Sequence, residues 1–149
     1  MKDLWSDDDC GAADAIGCCA YGSRLLGGDR SLVLHGGGNT SVKADWTDIT
    51  GRTVDALFVK GSGWDLASIE APGFTPLPLD RLHDLLGLDA LSDADTMPEL
   101  PAARLRPPAP QPSVETPLHA HLPFRATPHS HADVTLGPTT VTDAEHTLL

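Results

Sequence analysis

The residues best suited to chemistry in this chain are histidines, and they are crowded into one short segment. Four of the seven histidines lie in "HAHLPFRATPHSH", as two pairs spaced two residues apart: His119 with His121, and His129 with His131. Imidazole is a common metal ligand, although histidines also occur in ordinary cores. Side chains at i and i+2 of a β-strand point to the same face. Since "TPHSHADVTL" reads as a strand, we expect His129 and His131 to project side by side, as two ligands of one metal would.

A carboxylate precedes the histidines in "PSVETPLH". Beside a metal, Glu115 can act as an acid or base. A glutamate is also common in the first turn of a helix, where it interacts favourably with the helix dipole. The residues alone leave both interpretations open.

Two glycine-rich loops follow short apolar runs, in "HGGGNTSV" and "VKGSGWD". Successive backbone N–H groups in such loops can bind an anion. Asn39, Thr40 and Ser41 add side-chain donors to the first loop, and Lys60 and Ser62 add them to the second. Neither spacing matches the dinucleotide-binding or Walker pattern. A tight turn between strands is the alternative for each loop.

The elements that must position these residues alternate between helices and strands. We predict a helix over Cys10 to Leu26 that ends at Gly27-Gly28, and short strands over Leu32 to Leu34 and Ser41 to Ala44. "VDALFVKGSG" reads as a strand that enters the second glycine loop, and "PLPLDRLHDLLGL" as a helix.

The last third of the chain is less regular. Seven prolines between Met97 and Pro117 indicate a linker or an extended surface strand. "HAHLPF" is expected to form a short helix or turn before the strand that carries His129 and His131.

Composition limits the classes of partner. The 149 residues are enough for about one domain, and the formal net charge is −11. An acidic surface repels phosphate backbones and anionic lipids, so neither nucleic acid nor a membrane is expected as a partner. The start resembles no signal peptide, and no apolar run approaches the roughly 20 residues of a membrane helix.

The three cysteines are Cys10, Cys18 and Cys19. An odd number with two adjacent members makes a poor disulfide framework, so we read all three as small apolar helix residues. This reading favours a reducing cytoplasm.

Four motifs in this order, strand-"GGGNTSVK", strand-"KGSG", "PSVE" and "HSH", resemble the class II aldolase/adducin family over about Leu32 to Leu136. The sequence is most similar to the aldolase part of bacterial bifunctional rhamnulose-1-phosphate aldolase/alcohol dehydrogenase proteins. The resemblance implies an α/β fold, a three-layer α/β/α domain with a mixed, largely antiparallel sheet. It also implies an enzyme of carbohydrate metabolism, typically a homotetramer.

The resemblance also implies roles for individual residues. It makes Glu115 the catalytic acid/base, with a divalent metal, usually zinc in this family, bound by His129 and His131. The phosphate of a sugar would be held by residues of three loops: Gly38, Asn39, Ser62, Gly63 and Ser113. The implied reaction cleaves a ketose 1-phosphate, such as rhamnulose 1-phosphate, to dihydroxyacetone phosphate and an aldehyde.

The sequence departs from the family pattern after Leu136. The family has a third metal histidine far downstream, whereas the sole candidate here, His146, follows closely in a tail unlike the family. We therefore expect residues 1–136 to be the N-terminal part of the domain, incomplete at the C-terminus, with 137–149 as an unmatched tail. The alternatives are a non-catalytic truncated or adducin-like fragment, and a sugar-phosphate dehydratase or epimerase of the same family. An unrelated binding module is the remaining interpretation.

Overall fold

A computed structural model describes residues 4–10, 14–34, 36–88 and 93–131, with backbone only for 93–97. In chain order the helices and strands are α1 (Asp7–Cys10), α2 (Ala15–Gly28), β1 (Asn39–Thr47), β2 (Thr53–Lys60), β3 (Phe74–Pro78), α3 (Leu79–Leu86), α4 (Asp93–Ala102), α5 (Thr116–His121) and β4 (Ala126–His129). Two 3-10 turns, Leu66–Ser68 and Ala71–Gly73, lie between β2 and β3.

The four strands form one sheet in the order β3-β2-β1-β4, and all its pairings among the described residues are antiparallel. Alternate residues of a strand face opposite sides. Phe58 packs with Ala20 of α2 on one side, whereas Leu57 packs with Leu82 of α3 and Ala120 of α5 on the other. Helices therefore cover both faces, and the predicted three-layer α/β/α architecture is confirmed.

The first predicted helix is confirmed from Ala15 to Gly28, but its start at Cys10 is wrong. The carboxylate of Asp14 accepts a hydrogen bond from Gly17 N at 2.7 Å, which caps α2 at this point. The separate helix α1 ends at Cys10.

The strand predicted over Leu32 to Leu34 is also wrong. The amides of Leu32 and Val33 both donate to Asp29 O, so this segment forms a local turn in place of a ladder. Val33 is nevertheless buried, and an apolar residue that is buried in a turn gives the same sequence signal as one buried in a strand.

The proline-rich segment between Met97 and Pro117 is more ordered than predicted. Its first part belongs to α4, which contains Pro98 and Pro101, and the linker interpretation is therefore wrong there. Leu100 is only 2% exposed and packs with Leu77 and Leu82. Burial of this side chain offsets the unfavourable effect of proline within a helix.

The interpretation of all three cysteines as unpaired helix residues is wrong for two of them. Cys10 and Cys18 form a disulfide, with their Cα atoms 5.2 Å apart. That separation lies within the range that a disulfide can span. The spacing of the cysteines in the sequence does not reveal that the end of α1 lies beside the first turns of α2.

The remaining thiol, Cys19, is expected to react slowly. Burial raises its pKa from 9.0 to about 11, against weaker opposing effects of Ser23 and Thr40. Since the thiolate is the nucleophile, a shift of this size lowers the reactive fraction at neutral pH about 100-fold. Alkylation by iodoacetamide, followed by mass spectrometry with the disulfide intact, should be slower by about that factor in the folded protein than in urea. Equal rates would contradict the burial of this thiol.

Among the described residues, the longest helix is too short to cross a bilayer, and no helix qualifies as a membrane span. The predicted strand beyond His131 and the tail with His146 lie outside the described residues.

Candidate metal and substrate site

The candidate site lies where β1 begins and β4 ends. Asn39 and His129 are directly paired in the sheet, so their side chains share one face. Glu115 immediately precedes α5, which covers this face. Three segments distant in the sequence therefore meet at one end of the sheet.

The carboxylate of Glu115 is the centre of this meeting point. Its Oε2 accepts a hydrogen bond from Asn39 Nδ2 at 2.8 Å and a longer one from Ser113 Oγ at 3.5 Å. Its Oε1 lies 3.1 Å from His131 Nε2 and 3.8 Å from His129 Nδ1. The structure thus brings together five of the residues that the sequence singled out.

These neighbours favour the ionised form of Glu115. Burial by itself would raise the pKa of the carboxyl. The hydrogen bond from Asn39 and the interactions with His129 and His131 outweigh it and hold that pKa below its usual value. A carboxylate that stays ionised can accept a proton.

His129 and His131 lie side by side, as the strand pattern predicts. Their ring centroids are 4.9 Å apart in an edge-to-face arrangement. The observed strand β4 ends at His129, and His131 lies beyond it, so the prediction that both histidines belong to one strand is wrong for His131.

His119 is a further member of the cluster, outside the pair of metal ligands that the family resemblance implies. The residue is 0% exposed, and its Nδ1 is hydrogen-bonded to Ser41 Oγ at 2.8 Å. Its Nε2 is buried and has no hydrogen-bond partner among the described residues. The ring stacks on that of His129, with centroids 5.8 Å apart. The available signal was its position four residues after Glu115, on the same face of a helix.

The residues present fit a divalent metal. Glu115, His119 and His129 each offer one ligand atom, and these atoms lie within 4.8 Å of one another. Two imidazoles and a carboxylate are a set that zinc takes in catalytic sites. The unpartnered Nε2 of His119 is a buried polar atom that such an ion would satisfy. His131 lies outside this compact group but contacts Glu115.

The first glycine loop is packed against the histidine segment. Gly38 has a φ of +72°, and a Cβ at this position would lie 3.0 Å from His129 O. A Cβ on Gly37 would lie 3.5 Å from His131 Nδ1. The predicted loop residues Gly38 and Asn39 therefore lie directly beside the histidine pair.

The second glycine loop contacts the segment before Glu115 and makes no hydrogen bond to the described histidines. Ser62 N donates to Gln111 O at 2.8 Å, and Gly61 bridges to Pro112, beside Ser113. Gly63 has a φ of +86°. Within the described part of the chain, no hydrogen bond joins Ser62 or Gly63 to Glu115 or to the histidines. The structure thus places this loop beside the third loop.

Lys60 contributes a positive charge at the end of β2. The residue is 7% exposed, and its ammonium group donates no hydrogen bond to any other described residue. Burial lowers the pKa of Lys60, while the charges of Glu115 and Asp65 oppose this effect. A buried cation close to the glycine loops favours an anion locally, in spite of the acidic chain as a whole.

The burial of His119 predicts a loss of stability in mild acid. Burial is the main cause that lowers its pKa below 6.5, followed by the charge of His129, while Glu115 opposes them. The unfolded chain therefore takes up a proton on His119 first. Its contribution to stability is complete above about pH 6.5 and is lost as the pH falls toward the lower folded pKa.

Urea unfolding of the metal-free protein from about pH 7 to about pH 5 tests this expectation. The His119→Gln variant should show a shallower decrease in the free energy of unfolding than the wild type. His121→Gln, which changes an exposed neighbour, serves as the control. Equal slopes for wild type and His119→Gln would contradict the prediction.

Comparison with known proteins gives two informative matches. No family model matches the chain. Over 113 residues the chain is 41% identical to the uncharacterized oxidoreductase YuxG of Bacillus subtilis (strain 168). The matched segment makes up 76% of this chain but only 16% of that relative. It is also similar to the solved structure of the N-terminal class II aldolase domain of a conserved protein from Thermoplasma acidophilum. That match has 38% identity and a TM-score of 0.85, and covers 99% of this chain and 68% of the solved one.

Proposed function

We propose that this chain, which belongs to the class II aldolase family, acts as a metal-dependent aldolase domain on a phosphorylated sugar. The observation that carries the proposal is the position of the Glu115 carboxylate. It is hydrogen-bonded to Asn39 of the first glycine loop and to His131. The proposed acid/base group therefore lies between the loop proposed to bind the anion and the proposed pair of metal ligands.

The proposed substrate is a ketose 1-phosphate resembling rhamnulose 1-phosphate, which would be cleaved to dihydroxyacetone phosphate and an aldehyde. Backbone and side-chain donors of Gly38, Asn39, Ser62, Gly63 and Ser113 would hold the phosphate and so orient the reacting carbons. The adjacency of the second loop to Pro112 and Gln111, next to Ser113, supports a shared role for these loops.

The proposed metal, zinc by family pattern, would be held by His129 and His131. His129 also belongs to the compact group with Glu115 and His119, which supports a metal on this side of the sheet. When bound, the ion supplies Lewis-acid stabilisation of the negative charge that develops on substrate oxygens as the carbon–carbon bond breaks.

Glu115 would move the proton at the carbon that is cleaved or formed. Its lowered pKa keeps it in the proton-accepting form at neutral pH. The hydrogen bond from Asn39 Nδ2 fixes one carboxylate oxygen. The other oxygen, Oε1, lies on the side of the histidines.

Zinc titration by calorimetry, followed by an assay of rhamnulose 1-phosphate cleavage, tests the proposal. The wild type should bind one zinc ion and release dihydroxyacetone phosphate, detected by a coupled reductase. The double variant His129→Ala, His131→Ala should lose both, whereas the exposed control His121→Ala should keep both. Absent zinc binding, or equal binding by wild type and double variant, would contradict it.

A cytoplasmic location and assembly as a homotetramer are part of the same proposal, the assembly on the family pattern. Sedimentation velocity of the purified chain would test the assembly. A monomer at micromolar concentration would contradict it.

A further inference from the structure

One face of β1 carries a row of polar side chains that all contact α5 or the residue before it. Asn39 Nδ2 donates to Glu115 Oε2 at 2.8 Å, and Ser41 Oγ is hydrogen-bonded to His119 Nδ1 at 2.8 Å. Lys43 Nζ donates to the carbonyl oxygens of Ala120, at 3.1 Å, and Leu122. These contacts follow α5 from its start to its end.

The row follows from the alternation of a β-strand. Asn39, Ser41 and Lys43 are at i, i+2 and i+4 and therefore share one face. The residues between them face the other layer: Thr40 Oγ1 is 2.7 Å from Ser23 Oγ of α2, and Val42 packs in the cluster on that side. The motif "NTSVK" thus serves two layers at once.

Helix α5 depends on such contacts because it is short. It has six residues, and isolated helices of this length are not stable in water. Its last carbonyl groups have no partners within the helix, and a lysine near a helix C-terminus interacts favourably with both these groups and the helix dipole. Two of the carbonyl oxygens at this end of α5 are bonded by Lys43.

We propose that Lys43 and Ser41 are positioning residues of the site, which hold α5 against β1 and thereby place Glu115 and His119 beside His129. Lys43 holds the end of the helix, while Ser41 fixes the orientation of the His119 ring through Nδ1. Neither side chain needs to touch the metal or the substrate for this role. The inference rests on the proposed function for its effect on the site, but the contacts to α5 stand independently of it.

Hydrogen exchange followed by NMR tests the role of Lys43 in the metal-free protein. In Lys43→Met, the amides of His119 and Leu122, which donate to Glu115 O and Leu118 O at the two ends of α5, should exchange at least about tenfold faster relative to core amides of β2. Lys43→Arg, which keeps a charged donor, should restore most of the protection. Asp45→Asn changes the next exposed residue of the same face and should behave as wild type.

Two further measurements connect this role to the site. Ser41→Ala should change the 15N chemical shifts of the His119 ring, because the partner of Nδ1 is lost. Zinc affinity should fall about 10-fold to 100-fold in Lys43→Met, the usual effect of removing a group that orients ligands, and recover in Lys43→Arg.

Several outcomes would overturn the inference. The first is that the amides of α5 in Lys43→Met exchange at the same rate as in the wild type. The second is that all amides of this variant exchange faster by the same factor, which is what a merely structural role predicts. Failure of Lys43→Arg to restore protection, or unchanged His119 shifts in Ser41→Ala, would also overturn it. If the wild type bound no zinc, the proposed function would fail, and the exchange measurements would still decide the role of Lys43.

Discussion

Replacing Glu115 by Gln is expected to lower the rate of sugar-phosphate cleavage by about 10²-fold to 10⁴-fold, the range typical of a lost general acid or base. Glutamine has nearly the same shape and retains an oxygen that can accept from Asn39 Nδ2. It cannot take up a proton near neutral pH. The effect should therefore appear in kcat, with a smaller change in KM.

Two companion measurements make this result specific. Glu99→Gln removes a carboxylate that pairs with Arg81 at 2.7 Å on the surface, and should leave the rate unchanged. Zinc titration of Glu115→Gln separates proton transfer from metal binding, since Glu115 also lies within the compact ligand group. A rate close to that of the wild type would refute the acid/base role.

Replacing Gly38 by Ala should lower both the free energy of unfolding and the affinity of the site for zinc. The positive φ of +72° costs about 1–2 kcal/mol for a residue with a Cβ. The new methyl group would also lie 2.9 Å from Leu66 Cδ1 and 3.0 Å from His129 O, an overpacking that adds about 1–3 kcal/mol. Relief of this contact moves the backbone of His129, so we expect weaker zinc binding as well.

Gly51→Ala is the matched control, because Gly51 has a φ of +85° but open space where a Cβ would be. In urea unfolding, the free energy of unfolding of this variant should fall only by the backbone cost of about 1–2 kcal/mol, and its zinc affinity should be unchanged. If both variants lost the same stability and bound zinc equally, the contact between Gly38 and His129 would have no role.

Much of the fold was predictable from local pattern. The continuous apolar run in "VDALFVK" predicts β2, which is buried on both faces. The spacing of Leu82, Leu85 and Leu86 predicts α3, because a helix with this spacing buries one face. The failures have the opposite cause. Val33 is buried in a turn, and Leu100 is buried in a helix that contains proline, and both depend on tertiary packing that local propensity does not encode.

The sequence by itself determined the kinds of groups in the candidate site and their order along the chain: an Asn after glycines, a Glu, and a pair of histidines. Only the tertiary structure decided which of these groups meet. Asn39 reaches Glu115 across 76 positions of the chain, and Ser41 reaches His119 across 78. The physical reason is that strand alternation and helix spacing assign each side chain to a face, whereas packing of the layers decides which faces come into contact.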